Sequence, residues 1–379
     1  MKKYIKLISK TLAFLAFLTC TSNTIHANQV FDILRGSGNA NEFKQVKPGY
    51  DIKFPQDHLA HNDFRIEWWY LTANLYDVKT QEHYGIQWTL FRQASQKDKN
   101  PANNPWLSEQ FWMAHGAISN KQEHVYQERF SRGGIGQAGV AQNKTGINLW
   151  LDDWLWQSNN TQSLFPATLN YSVNNKHIQL ELTTNNPWIF HGENGYSQKS
   201  PIKNGKASAS YYYTQPRINI SGTLQQDEKT IKLKGQGWLD REWSSQPLAK
   251  DQQGWDWFSI QLESGYSLMI FRLRHADKNY YHSGTWIHPD GTTQTLTNKD
   301  IILTPTENEK LELQQNRTIT VPTKWTLVIP SLQKNWRIQA RYNNQYLDAL
   351  FPYWEGPIVV SGDDKGEGYL EMMGYEVKD

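Results

Sequence analysis

The sequence predicts an all-β chain with enough strands for two barrels or sandwiches, and three observations carry that expectation. Ile66, Trp68 and Tyr70 alternate with Glu67, Trp69 and Leu71 at a period of two, and residues 86–91 and 111–118 read in the same style. Turn chemistry separates such runs at Asn174-Asn175, Asn194-Gly195, Asn204-Gly205, Ser264-Gly265 and Pro289-Asp290-Gly291, where Asn-Gly and Asp-Gly pairs supply the positive φ that tight hairpins need. Beyond the N-terminal leader no segment shows a 3.6-residue apolar stripe over a dozen positions. Aromatics reach 13%, with 17 Trp and 19 Tyr among 379 residues, and large rings suit a pleated, half-buried surface.

Taken in order, the chain opens on a leader. Lys2, Lys3, Lys6 and Lys10 precede a short apolar run, residues 12–18, too short to span a bilayer and of the form of a secretory signal peptide. Cleavage is expected after Ala27, giving an exported, periplasmic or secreted chain. A lipoprotein anchored through Cys20 is the lesser reading, because Thr19 stands where a lipobox wants a smaller residue. Cys20 is the single cysteine, so the mature fold has no internal disulfide and no thiolate chemistry. Residues 28–54 read as a linker or N-terminal arm, 55–238 as a first domain and 239–379 as a second, with the boundary near 235–245. No later segment is apolar for long enough to cross a membrane as a helix. The net charge is +2; removing the four leader lysines leaves 35 bases against 37 acids. A near-neutral chain lacks the electrostatic footprint of a nucleic-acid binder.

The motif search excludes more than it assigns. The chain has no nucleophile elbow, zincin helix, Walker loop or EF-hand loop. Gly134, Gly136 and Gly139 match a dinucleotide fingerprint, but strands surround them, so they read as a glycine-rich loop. His58, His61 and Asp63 have the types of metal ligands; at the entrance of a strand their simpler role is hydrogen bonding, with Arg65 the expected partner of His61 or Asp63. No metal and no cofactor is expected.

The informative cluster is Asp240-Arg241-Glu242-Trp243. In an extended strand Asp240 and Glu242 share one face and Arg241 takes the other. In a dry site one carboxyl is held protonated, which suits general-acid chemistry on a double bond or ester; the competing reading is a buried Arg–carboxylate network with a structural role. Trp68, Trp69, Trp88, Trp243, Trp255 and Trp257 supply either core or the wall of an apolar pocket in a barrel mouth.

Several strings then resemble a known family: Phe64-Arg65-Ile66-Glu67-Trp68-Trp69-Tyr70-Leu71, Glu128-Arg129-Phe130-Ser131-Arg132-Gly133, Trp150-Leu151-Asp152-Asp153-Trp154, Asp240-Arg241-Glu242-Trp243, Tyr353-Trp354-Glu355-Gly356 and Gly368-Tyr369-Leu370-Glu371. Together, from about residue 55 to the C-terminus, they are similar to the AttH-like, lipocalin-like secreted proteins related to carotenoid 1,2-hydratases. The resemblance implies two lipocalin-like (calycin) antiparallel β-barrel domains packed together, a site near their junction and a hydrophobic ligand. It also implies the common label of secreted hydrolase and a frequent association with ABC transporter permease components. The motif-matched residues it carries over are Glu67, Trp68, Trp69, Asp240, Arg241, Glu242, Trp243 and Glu355. Carotenoid hydration itself is not expected, because residues 235–257 contain no histidine.

The leading functional expectation is an exported binder of a lipid- or isoprenoid-like molecule, held near the junction by Glu67, Trp68, Trp69, Trp88, Trp243, Trp255, Trp257 and Glu355. The alternative is a hydrolase or hydratase using Asp240 or Glu242 as acid/base with Arg241 setting the field. A third reading is sugar binding on exposed indoles.

Overall fold

A computed structural model describes residues 40–96, 104–202, 207–246, 248–249, 251–277 and 279–378. The leader, Cys20, the Ala27 cleavage site and the Asn204-Gly205 turn lie outside these residues. As expected, the fold is all-β and lipocalin-like: two antiparallel sheets, one of them nearly closed into a barrel.

The first sheet holds β1 (Ile66–Asp77), β2 (His83–Ala94), β3 (Gln110–Ser119), β4 (His124–Arg132), β5 (Ala138–Gln142), β6 (Ile147–Leu151) and β7 (Trp154–Ser158). It continues with β8 (Ala167–Val173), β9 (Lys176–Thr183), β10 (Ile189–Phe190), β11 (Tyr196–Gln198), β12 (Ala209–Gln226) and β13 (Lys229–Ser244). Its strand order is β4-β3-β2-β1-β13-β12-β9-β8-β7-β6-β5, with β10 and β11 on β12.

The second holds β14 (Gln252–Leu262), β15 (Ser267–His275), β16 (Tyr280–Ile287), β17 (Thr293–Leu296), β18 (Ile302–Glu312) and β19 (Thr318–Ile329). After these come β20 (Lys334–Ala340), β21 (Tyr346–Leu347), β22 (Tyr353–Gly362), β23 (Gly366–Met373) and β24 (Val377–Lys378). Its order is β17-β16-β15-β14-β23-β22-β20-β19-β18. Strand β13 stays paired with β1 to Ser244, so the chain leaves the first sheet between Ser244 and Gln252. Residues 239–244, drawn into the second domain from sequence, therefore pair within the first sheet.

The turns follow their residues: Asn194 and Gly195 both adopt positive φ (50° and 95°) between β10 and β11. Gly134 and Gly136 also have positive φ and sit in the β4–β5 turn, with no βαβ unit around them.

Alternation sorts the rings into layers. Trp69, Trp88, Trp154 and Trp156 point into the first barrel, Trp325, Trp336 and Trp354 into the second sheet's core, and Tyr70, Tyr212, Trp238 and Trp257 into a third cluster between the sheets. The arm is docked: Phe43 is buried, the Lys44 N–H donates to Asp63 O at 2.9 Å, and Tyr50 lies 4.4 Å from the Tyr211 ring.

Candidate functional site

The site follows from the register of β1 on β13. Trp68 faces Glu242 and Tyr70 faces Asp240 across the ladder, so these four side chains share one side of the sheet. That side faces the second sheet. Between the two sheets lies a cavity of about 640 Å³. Its walls are largely apolar: Trp68 and Tyr70 from β1, Met113 from β3, Trp255 and Trp257 from β14, and Phe271 and Leu273 from β15.

Three acids, Asp240, Glu242 and Glu371, stand in this wall. Burial pushes the Asp240 carboxyl up to about 7, and the neighbouring Glu242 adds to the rise; the Trp238 indole N–H, donating to Oδ1 at 2.8 Å, opposes it in part. Glu371 is likewise raised to about 7 by burial, and accepts from the Trp255 indole at 3.0 Å. Glu242 is tied differently: Lys199 Nζ lies 2.9 Å from Oε1, and the Ser210 hydroxyl donates to the same oxygen. Lys199 sits over the Phe271 ring at 4.1 Å and the Tyr212 ring at 4.8 Å.

A fourth acid lies behind the wall. Glu355 faces Glu371 directly across the β22–β23 ladder, a pairing that disfavours ionising both carboxyls. Burial and the Glu371 charge hold Glu355 well above the usual range, and the Tyr70 hydroxyl donates to its Oε1. Nearby, the Tyr353 hydroxyl accepts from Gln87 Nε2 at 2.6 Å and lies 2.8 Å from His115 Nδ1. Burial lowers His115 to about 3, so the ring is neutral. The arrangement places proton donors and acceptors around an apolar space. Among the described residues no cluster of His, Cys, Asp and Glu is set to hold a metal.

The AttH-like family profile matches residues 45–375. The chain belongs to the AttH-like family. This AttH-like chain is 30% identical to a Nitrosomonas europaea protein described as an AttH, over 88% of this chain and 99% of that one, with a TM-score of 0.75. It shares its fold with kievitone hydratase from Nectria haematococca at 16% identity, over 88% and 96% of the two chains, with a TM-score of 0.62. No curated protein matches it.

Of the residues expected at the site, this AttH-like protein brings together Asp240, Glu242, Trp68, Trp255 and Trp257 in the cavity wall, with Glu355 one hydrogen bond behind Tyr70. Glu67, Trp69, Arg241 and Trp243 point the other way. Glu67, fully buried, is met by Arg92 Nε, by Arg241 Nη2 at 2.5 Å and by the His61 N–H at 2.8 Å. Burial alone would raise its pKa; Arg92 and Arg241 outweigh that and hold it well below the usual range. Arg241 stacks over Trp69 at 3.8 Å and donates to Leu59 O. It therefore serves a structural network rather than the field at Asp240. His61, stacked on Trp243 at 4.0 Å, bridges Glu67 and Asp57 rather than pairing Arg65. His58 bonds the Tyr213 hydroxyl through Nδ1 at 2.7 Å.

Trp88 is fully buried inside the barrel, 5.9 Å from Trp156. Trp88→Ala is expected to cost about 3–5 kcal/mol of stability, read by urea unfolding, while the affinity of folded protein for an apolar probe stays unchanged. A weakened affinity with intact stability would return Trp88 to the pocket.

Lys199, Tyr70, Tyr212 and Glu371 are the site residues that sequence reasoning missed. Two of them had a signal: Tyr70 stands in the Phe64–Leu71 string, two residues after Trp68, and Glu371 at the end of the Gly368-Tyr369-Leu370-Glu371 string.

Proposed function

We propose that the chain is an acid–base enzyme of the hydratase type, acting on a lipid- or isoprenoid-like molecule held in the cavity between the sheets. One observation carries the reading: Asp240 and Glu371, both with carboxyls raised to about 7, stand in the wall of one apolar cavity. Groups poised near neutrality serve as acid and base at the same pH. Asp240 gives its proton to one carbon of a C=C bond. Water adds its oxygen to the other carbon, and its surplus proton passes to Glu371. The sum is one water added, with the two carboxyls exchanged in protonation. A kievitone hydratase has the same fold. Binding of the apolar molecule, the leading expectation from sequence, is here the first step of the reaction.

The proposal includes export through the leader and service to an ABC-transporter-linked envelope process. N-terminal sequencing of protein from the native host tests the first, with a start at Asn28 the expected result and an intact leader the contrary one. Sugar binding needs a row of exposed indoles; Trp106 is the only strongly exposed Trp among the described residues.

The reaction is tested by incubating the protein with unsaturated fatty acids and acyclic isoprenoids in ¹⁸O-water. The expected result is a product heavier by one labelled water. No product and no change in Trp fluorescence across the panel would overturn both chemistry and binding.

A further inference from the structure

Of the ten large apolar side chains exposed among the described residues, five gather along one rim. Phe111 (43% exposed), Phe130 (48%) and Leu350 (37%) stand in the lining of the cavity, at its open edge. Trp106 (67%) and Leu107 (55%) join them through Arg132, whose Nη1 donates to Trp106 O at 3.2 Å. Arg132 is itself exposed, lines the cavity, and lies 5.7 Å over the Phe111 ring. Among the described residues it makes no ion pair; Glu109, which accepts from Ser95 and Gln96, lies near enough to feel its charge.

Exposed apolar side chains gathered at one place and edged by a charge are the mark of an interaction site. Trp belongs at the boundary between water and lipid, where its ring is buried and its N–H stays wet, and a guanidinium beside it complements lipid phosphate. The rim is also continuous with the apolar interior, so a greasy molecule crosses from lipid into the cavity without passing through water.

We propose that the rim formed by Trp106, Leu107, Phe111, Phe130 and Leu350, with Arg132, docks on a lipid surface and draws the apolar ligand from it. This rests on the cavity reading above but is tested apart from it.

The purified protein is floated with vesicles of phosphatidylcholine, with and without phosphatidylglycerol. It is expected to rise with both, more with the anionic ones. Trp106→Ser with Leu107→Ser is expected to lower partitioning by on the order of a hundredfold at unchanged melting temperature. Arg132→Gln is expected to remove the preference for anionic vesicles. Protein that stays unbound to both vesicle types, or a double variant that floats equally well, overturns the proposal. So does a dimer in solution that the double variant dissolves, since the surface then belongs to a second copy. Uptake of cis-parinaric acid from cyclodextrin separates the two claims. Uptake without flotation sinks the docking and keeps the cavity; flotation without uptake does the reverse.

Discussion

Asp240→Asn lowers turnover of the hydration reaction by about 10²–10⁴-fold, and it makes the protein more stable than the parent above neutral pH. The two effects have one cause. The Asp240 carboxyl, 2% exposed, is raised from 3.8 to about 7, so between those values the folded state holds a proton that the unfolded state has lost. Stability from this group is present at acid pH and declines as pH rises through that window, by roughly 4 kcal/mol in all. Asparagine does not titrate and escapes the decline. His58, His83 and His115, each lowered to about 3 by burial, act oppositely and favour the fold as pH rises toward 6.5. The quantity to measure is therefore the variant-minus-parent difference in chemical unfolding between pH 4 and 8, which is expected to grow with pH. A flat difference would mean that Asp240 titrates as an ordinary carboxylate. The parent's rate should follow a bell centred near pH 7, since Asp240 must carry a proton while Glu371 has lost one, and its limbs belong to the coupled set rather than to single residues.

Glu67→Gln is expected to be among the most damaging single changes on the other face of the same sheet. Glu67, Arg92 and Arg241 have fully buried side chains, and the two guanidiniums are held by one carboxylate. Removing that charge leaves both guanidiniums buried beside a neutral amide. A loss of about 3–5 kcal/mol is expected, because breaking a buried ion pair strands the remaining charge. The damage should spread to the arm: His61 loses its partner, and with it the contact that ties Asp57 to β1. Urea unfolding reads the loss, and limited proteolysis before residue 66 reads the release of the arm. A Glu67→Gln protein that keeps its stability but loses activity would place Glu67 in the chemistry instead.

These two faces show how much the sequence reveals and where it stops. Period-two alternation alone separated Asp240 and Glu242 from Arg241, and the structure agrees. The same rule, applied to the tryptophans, would have split Trp68 from Trp69 and Glu242 from Trp243, because neighbours on a strand cannot share a face. Residue type grouped them; geometry parts them. Lys199 was invisible for a different reason. It follows the three-residue strand β11 and meets Glu242 only because β11 pairs with β12 and β12 with β13, a chain of contacts that no local spacing encodes. Glu371 stood in a recognised string, yet only the pairing of β23 with β14 and β22 decides that its side chain meets the cavity and faces Glu355. The two-sheet fold was legible because hairpin turns and alternation are local. The site was legible only in part, because the cavity is made where two sheets meet.

Infrared titration of the carboxyl band, on the parent and on Asp240→Asn and Glu371→Gln, tests the acid–base site most directly. Protonated-carboxyl absorption that persists to about pH 7 and shrinks by one group in each variant is the predicted result. Complete loss of that absorption by about pH 5, where unperturbed carboxyls have ionised, would contradict it.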